Sequence, residues 1–217
     1  MNIFKRFRIN RVIRSFIISD LVLFSGWGMI SPLFSIFVTG QVQGATLETV
    51  GVTTAIYWLV RSIAQMPLAT ALDKIKGEKD DFYTLIAGLV LVSISSFLYV
   101  FVKTVPQLYT IHAFQALAFA FYAPSWSGIF SRHIDKDKAA VTWSIEHAFL
   151  GVASGISGYF GSVIVANFGY QAVFIVASIL SLIAAIVIFL IPDIVFPRPK
   201  RKGFSPEMRN HSVKTIQ

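Results

Sequence analysis

Six stretches of predominantly apolar residues, 16–38, 49–72, 82–102, 108–130, 140–166 and 172–191, fill most of the chain and leave few alternatives to a membrane protein. A helix that crosses the ~30 Å hydrocarbon core needs about 20 such residues at ~1.5 Å rise each, and every stretch reaches that length. Charged residues make up only 14% of the sequence, against about 25% in soluble domains, too few to keep a soluble surface of this size wet. No stretch shows the ~10-residue apolar/polar alternation of a barrel strand. The first is longer than the ~7–15-residue core of a signal peptide and is read as a retained helix. The connections are short, so consecutive helices are antiparallel neighbours. With no cysteine in the chain, disulfides, thiolate metal sites and thiol nucleophiles are excluded. The expected organisation is a basic N-terminus over 1–14, a six-helix transmembrane bundle over 15–192, and a basic, partly disordered tail over 193–217.

The net charge of +8 raises the question of nucleic acid, and the position of the charge answers it. Of the 19 Lys and Arg residues, 17 lie in the N-terminal segment, the second and fourth connections and the tail, all on one side of the predicted membrane. Lys103 alone lies on the other side, and Arg61 falls inside the second helix. Cytoplasmic segments carry the Lys/Arg excess, so both termini are placed in the cytoplasm of a cell whose inner or plasma membrane holds the chain. The run at 197–202, PRPKRK, is then an anchor facing anionic lipid rather than a nucleic-acid patch.

An ionisable side chain at the bilayer centre costs about 2.5–3.5 kcal/mol on insertion scales, so each one needs a reason. The third and sixth helices contain none. The first carries Asp20, the second Arg61, the fourth His112, and the fifth Glu146 and His147. This division predicts that the third and sixth helices face lipid while the other four line something polar. Helical spacing agrees: Thr54, Tyr57, Arg61 and Gln65 share one face of the second helix. His112, Gln115, Phe119, Tyr122 and Trp126 share one face of the fourth, Asp20, Trp27, Ser31 and Ser35 lie along the first, and Trp143, His147, Leu150, Ser154 and Ser157 along the fifth. Arg61 lies near the midplane, where it is either a substrate anchor or member of a proton relay, or one side of a static ion pair with Asp20 or Glu146. Asp20 and Glu146 are candidate proton carriers. Gly151, Gly155, Gly158 and Gly161 form a small-residue stripe suited to close helix packing. An internal echo, Asp20 twelve residues before Pro32 and His112 twelve before Pro124, suggests two three-helix halves. No metal-ligand spacing, nucleophile elbow or phosphate loop is present, so neither an enzyme nor a cofactor is expected.

Four stretches resemble the major facilitator superfamily, over about residues 12–193. The segment 71–79, ALDKIKGEK, is similar to the family's loop signature after the second helix: Asp73 and Lys74 match, Ala69 replaces a Gly, and Gly77 comes one residue late. The segment 108–120, LYTIHAFQALAFA, is similar to the fourth-helix signature at Leu108, Gln115 and Ala120, with His112 in place of its Arg. FYAPSW with Pro124 looks like the break late in that helix, and GYQAVF at 169–174 resembles the family's start of the sixth helix. The resemblance implies an all-α bundle built as a 3+3 inverted repeat, with helices one, two, four and five facing a cavity and a second such bundle.

The chain is therefore expected to be a half-sized secondary transporter, complete from its Met to its tail, that moves a small-molecule solute. Pairing, most simply as a homodimer in the lipid bilayer, would supply the second bundle. The alternatives are a non-transporting membrane interaction module or one half of a heteromeric transporter. The candidate residues for solute binding or coupling are Arg61, Asp20, Tyr57, Gln65, His112, Gln115, Tyr122, Glu146 and His147. Arg61 with Tyr57 and Gln65 suits an anionic or zwitterionic solute. The charge asymmetry also makes a topological prediction: a reporter active only outside the cytoplasm stays silent when fused to either terminus. Activity at one end alone would require an odd number of spans.

Overall fold

The computed structural model describes residues 9–74, 77–135 and 137–190. Residues 1–8, 75–76, 136 and 191–217, which include Lys76, Lys136 and the basic tail, lie outside it. Six long helices follow one another: α1 (Arg11–Gln41), α2 (Leu47–Lys74), α3 (Lys79–Leu98), α4 (Val105–His133), α5 (Ala139–Phe168) and α6 (Tyr170–Phe189). No strand occurs among the described residues; the nearest feature is an isolated bridge between Gln43 and Thr104 that ties the α1–α2 turn to the α3–α4 turn. The fold is an all-α, six-helix membrane bundle.

Local chemistry sets the helix ends. The Asn10 carboxamide oxygen accepts from the Val12 N–H at 2.8 Å and starts α1. Gln107 Oε1 accepts from the N–H groups of Lys103 and Thr104, which would otherwise be orphaned at the start of α4. Asp80 and Asp81 lie in the first turn of α3 and Arg132 and His133 in the last turn of α4, each matching the sign of its helix dipole. Gly169 joins α5 to α6 at a φ of 81°, a value that disfavours residues with a Cβ. The two echoed prolines act differently. Pro32 lies in a 3-10 turn, Ser31–Leu33, that interrupts α1, whereas α4 continues through Pro124.

Four helices, α1, α3, α5 and α6, are long and apolar enough to cross a membrane by length and composition. The other two, α2 and α4, have 28 and 29 residues. Their length suffices, and what sets them apart is the polar stripe of Thr54, Arg61 and Gln65 on one and His112 and Gln115 on the other.

The packing is that of an inverted repeat. The first helix packs against α5 and α6, α4 packs against α2 and α3, and α3 packs against α6. Exchanging α1 with α4, α2 with α5 and α3 with α6 returns the same set of contacts, which is the pseudo-two-fold relation of a 3+3 bundle. The middle helix of each half leans on the first helix of the other half. The third and sixth helices meet behind α1 and α4, and their outward faces carry exposed Ile94, Phe97, Ile179, Leu182 and Ile186. The second and fifth helices form the two flanks and bury the least: only Thr49, Thr53 and Leu72 are buried on α2.

Two aromatic clusters close the ends of the bundle. Near the termini, Trp126 stacks on Phe130 at 4.5 Å, and Trp143 joins them from α5. At the other end Tyr99 stacks on Phe174 at 5.1 Å, and Phe37 meets Phe174 edge-on at 4.9 Å.

Glycines set how closely the helices approach. A Cβ on Gly161 would lie 2.5 Å from the Met29 carbonyl oxygen, one on Gly28 2.7 Å from the Ser154 Cα, and one on Gly88 2.7 Å from the Tyr122 nitrogen. These contacts hold α1 to α5 and α3 to α4 at backbone distance, where dispersion replaces the hydrophobic drive that lipid cannot supply. Gly151 and Gly155, in the same α5 stripe, have nothing within 4 Å of an added Cβ. The stripe therefore packs at one end and is free at the other. Gly161→Ala is expected to lower stability by about 1–3 kcal/mol through overpacking. Gly151→Ala, in open space within a helix, should be neutral or stabilising by up to about 1 kcal/mol. Thermal unfolding of the purified variants measures both.

Candidate functional site

Helices α1, α2 and α4 converge on a pocket of about 330 Å3 between the two aromatic clusters. Its rings come from Phe24, Trp27 and Phe34 on α1, Tyr57 on α2, and Phe119 and Tyr122 on α4. Arg61, Thr54, Ser31, His112 and Gln115 supply the polar groups.

Arg61 projects from the middle of α2. Its guanidinium donates to the Tyr57 hydroxyl at 3.0 Å, and its carbon lies 5.8, 5.5 and 5.6 Å from the ring centres of Tyr57, Trp58 and Phe119. Aromatic faces stabilise a cation by roughly 0.5–2 kcal/mol without neutralising it. The ion pairs among the described residues involve Arg132, His133, Lys138 and His147 but not Arg61.

The Arg61–Asp20 pair contemplated from the sequence is not formed. Asp20 is 2% exposed and accepts a hydrogen bond from the Tyr122 hydroxyl across the α1–α4 contact. Tyr122 thus stands between the pocket and the carboxylate. Glu146, 3% exposed on α5, is near enough to interact electrostatically with both Asp20 and Tyr122. Its Oε2 lies 3.1 Å from His147 Nδ1 but is not aligned for a hydrogen bond. The His147 side chain is 72% exposed and stacks on Trp143, away from the pocket. Gln65 also lies outside the pocket lining.

A second network closes the pocket at the other end. The Tyr99 hydroxyl donates to Gln115 Oε1 at 2.7 Å and is hydrogen-bonded to His112 Nδ1. Phe34 stacks on the His112 ring at 5.2 Å. Gln115 Nε2 and Trp27 Nε1 are buried with no partner among the described residues. Buried donors without partners are rare in folded proteins; Trp126 Nε1, outside the pocket lining, is another.

The structure thus gathers Arg61, Tyr57, His112, Gln115 and Tyr122 around one pocket, with Asp20 behind Tyr122. Sequence reasoning missed Phe24, Ile30, Phe34 and Tyr99. Tyr99 opens the 3-10 turn, Tyr99–Phe101, that follows α3, a helix set aside because it lacked a central charge. Its one signal was a tyrosine at the helix end, where a hydroxyl needs a partner.

The loop residues lie at the end of the bundle that carries the termini. Asp73 and Lys74 close α2 with exposed side chains, and Gly77 takes a φ of 133°. Nearby, Arg132 pairs with Asp81 and with Glu78 at 3.4 Å, joining α3 to α4.

The family model of the Major Facilitator Superfamily matches residues 16–215. The chain belongs to this superfamily. An uncharacterised MFS-type transporter of Methanocaldococcus jannaschii is 26% identical over 178 residues, 82% of this chain and 45% of that protein. A solved POT family transporter, PepTSo, shares the fold with a TM-score of 0.66 at 16% identity, over 89% of this chain and 40% of its own. The chain spans less than half the length of either. Its six helices correspond to part of those longer chains.

The Asp20–Tyr122 contact predicts an asymmetric pair of mutants. Tyr122→Phe strands a buried carboxylate oxygen and should cost about 1–3 kcal/mol or more. Asp20→Asn keeps an acceptor for the hydroxyl and should cost less. Thermal melts of the two variants give the comparison, and equal losses would contradict the assignment of the hydroxyl as donor.

Proposed function

We propose that this chain is a secondary transporter half, with its solute held in the pocket between α1, α2 and α4 and the cavity closed by a second six-helix bundle. The observation that carries this reading is Arg61: a guanidinium near mid-helix, over aromatic rings, with no carboxylate partner among the described residues. Exposed to lipid, such a group would cost several kcal/mol. Facing a closed, wet cavity, it becomes a binding group.

The second bundle is most simply another copy. The flanks that would meet it are apolar and open: Trp58, Leu59, Ile63 and Met66 on α2, and Phe149, Val152, Ile156 and Tyr159 on α5. A two-fold axis in the bilayer normal would bring α2 of one copy to α5 of the other. Both termini face the cytoplasm, and the membrane is the cell membrane. Asp20, with Glu146 beside it, is the group proposed to carry a coupling proton, since Tyr122 links it to the pocket wall.

Two measurements test this. The chain has no cysteine, so single cysteines at Leu59 and Ile156 report on the interface directly. Cross-linking of α2 to α5 between copies is expected. Efficient links only from Ile94 or Ile179, on the opposite face, would overturn the assembly. For transport, cells expressing the wild-type chain and Arg61→Ala are compared by solute profile. At least one small solute should change with the wild type and return to the control level in the variant, while the variant stays folded. Identical profiles would overturn the site.

A further inference from the structure

We propose that the pocket is built for a small aromatic monocarboxylate: a planar apolar body held between rings, with its carboxylate against Arg61. This rests on reading the pocket as the solute site and names the class of solute.

The argument begins with where the chain keeps its acids. It has 11 Asp and Glu residues. Asp73, Glu78, Asp80, Asp81, Asp135 and Asp137 lie at the end of the bundle that carries the termini, and Asp193 and Glu207 lie in the tail. Glu48 opens α2 at the far end, thirteen positions from Arg61, or ~20 Å along the helix. Only Asp20 and Glu146 remain within the spans, and both are buried inside their own bundle, 2% and 3% exposed. Asp20 is already bonded to Tyr122. A second copy of this chain facing the first therefore has no free intramembrane carboxylate to set against Arg61. The homodimeric cavity would hold two guanidiniums and no accessible acid, and the compensating charge has to arrive with the solute.

The uncharged groups of the pocket agree. Tyr99 has one hydroxyl hydrogen. Given to Gln115 Oε1 at 2.7 Å, it leaves His112 Nδ1 as the donor in the other contact. The Gln115 oxygen is thereby occupied and its amide N–H groups are the free end, which is the atom found buried without a partner. Trp27 Nε1 is a second unpartnered donor in the same lining. Two orphan N–H donors and one cation favour an acceptor-rich group, and a carboxylate accepts from a guanidinium in bidentate fashion. No acidic side chain lines the pocket, so a cationic or zwitterionic solute finds aromatic faces but no countercharge for its positive end, beside an arginine that repels it. The remaining wall is aromatic on three helices, from Phe24, Trp27, Phe34, Tyr57 and Phe119. A volume of about 330 Å3 in one half falls at the lower end of small-molecule sites, which run about 300–1,000 Å3.

The test uses the full chain, solubilised and verified as folded by its melting transition, with four probes: benzoate, benzamide, benzamidinium and sulfate. Binding is followed through quenching of tryptophan fluorescence, since Trp27 lines the pocket. Benzoate should bind at least about tenfold more tightly than benzamide, a difference of about 1.4 kcal/mol. Benzamidinium and sulfate, lacking the charge or the ring respectively, should be weaker still. Arg61→Gln should remove the preference for benzoate over benzamide, and Arg61→Lys should retain part of it. Gln115→Leu should weaken benzoate severalfold and, by stranding the buried Tyr99 hydroxyl, lower the melting transition as well. Tighter binding of benzamidinium than of benzoate, binding of benzoate unaffected by Arg61→Gln, or no binding of any probe overturns the solute class. Any of these outcomes alongside a solute profile that still depends on Arg61 would leave the transporter reading standing with a different solute. Loss of both would end both.

Discussion

An arginine in the middle of a membrane helix needs compensation, and this chain withholds the obvious source of it. Asp20 is on an adjoining helix and of opposite charge, yet it is bonded to Tyr122 and sealed from the pocket. The hydroxyl of Tyr122 donates to the carboxylate, so Asp20 has a partner without the guanidinium. Arg61 is left with a phenol and three aromatic faces, which lower its cost without cancelling its charge. With the two apart, the guanidinium lines the pocket with no carboxylate partner among the described residues.

The fold repeats but the chemistry does not. Exchanging the two three-helix halves reproduces the main helix contacts, including a glycine pressed on backbone at the two equivalent interfaces, Gly88 at α3–α4 and Gly26 at α1–α6. Yet the polar stripe of α2, with Thr54, Tyr57 and Arg61, is answered on α5 by Gly151, Ser154, Gly155 and Gly158. One flank carries a cation over aromatic rings, and the other sets glycine and serine among exposed Phe149, Val152, Ile156 and Tyr159.

The chain spans 45% of the archaeal MFS-type transporter and 40% of PepTSo. The pocket draws its walls from three helices, α1, α2 and α4. The two helices least apolar by composition, α2 and α4, are those that carry Arg61 and His112 into that pocket. Polarity that would be expensive in lipid is tolerated because it faces inward.

Much of this was legible in the sequence. Apolar length fixed the number of helices, because the thickness of hydrocarbon leaves no other solution for stretches of that size. The steps of three and four between Tyr57, Arg61, His112, Gln115 and Tyr122 gave their shared faces, since a helix has a fixed period. Boundaries extended beyond the apolar runs, as in α1, which begins at Arg11 rather than at residue 16. Hydropathy stops at the lipid boundary, whereas hydrogen-bonded backbone does not. Partner choice was beyond the sequence. That Asp20 meets Tyr122 and not Arg61, that Tyr99 joins His112 and Gln115 from a helix without a central charge, and that Gly161 packs while Gly151 does not all depend on how helices distant in sequence cross. Periodicity determines which side of a helix a residue occupies; only the tertiary packing decides which other helix that side meets, and hydrogen bonds form between neighbours in space.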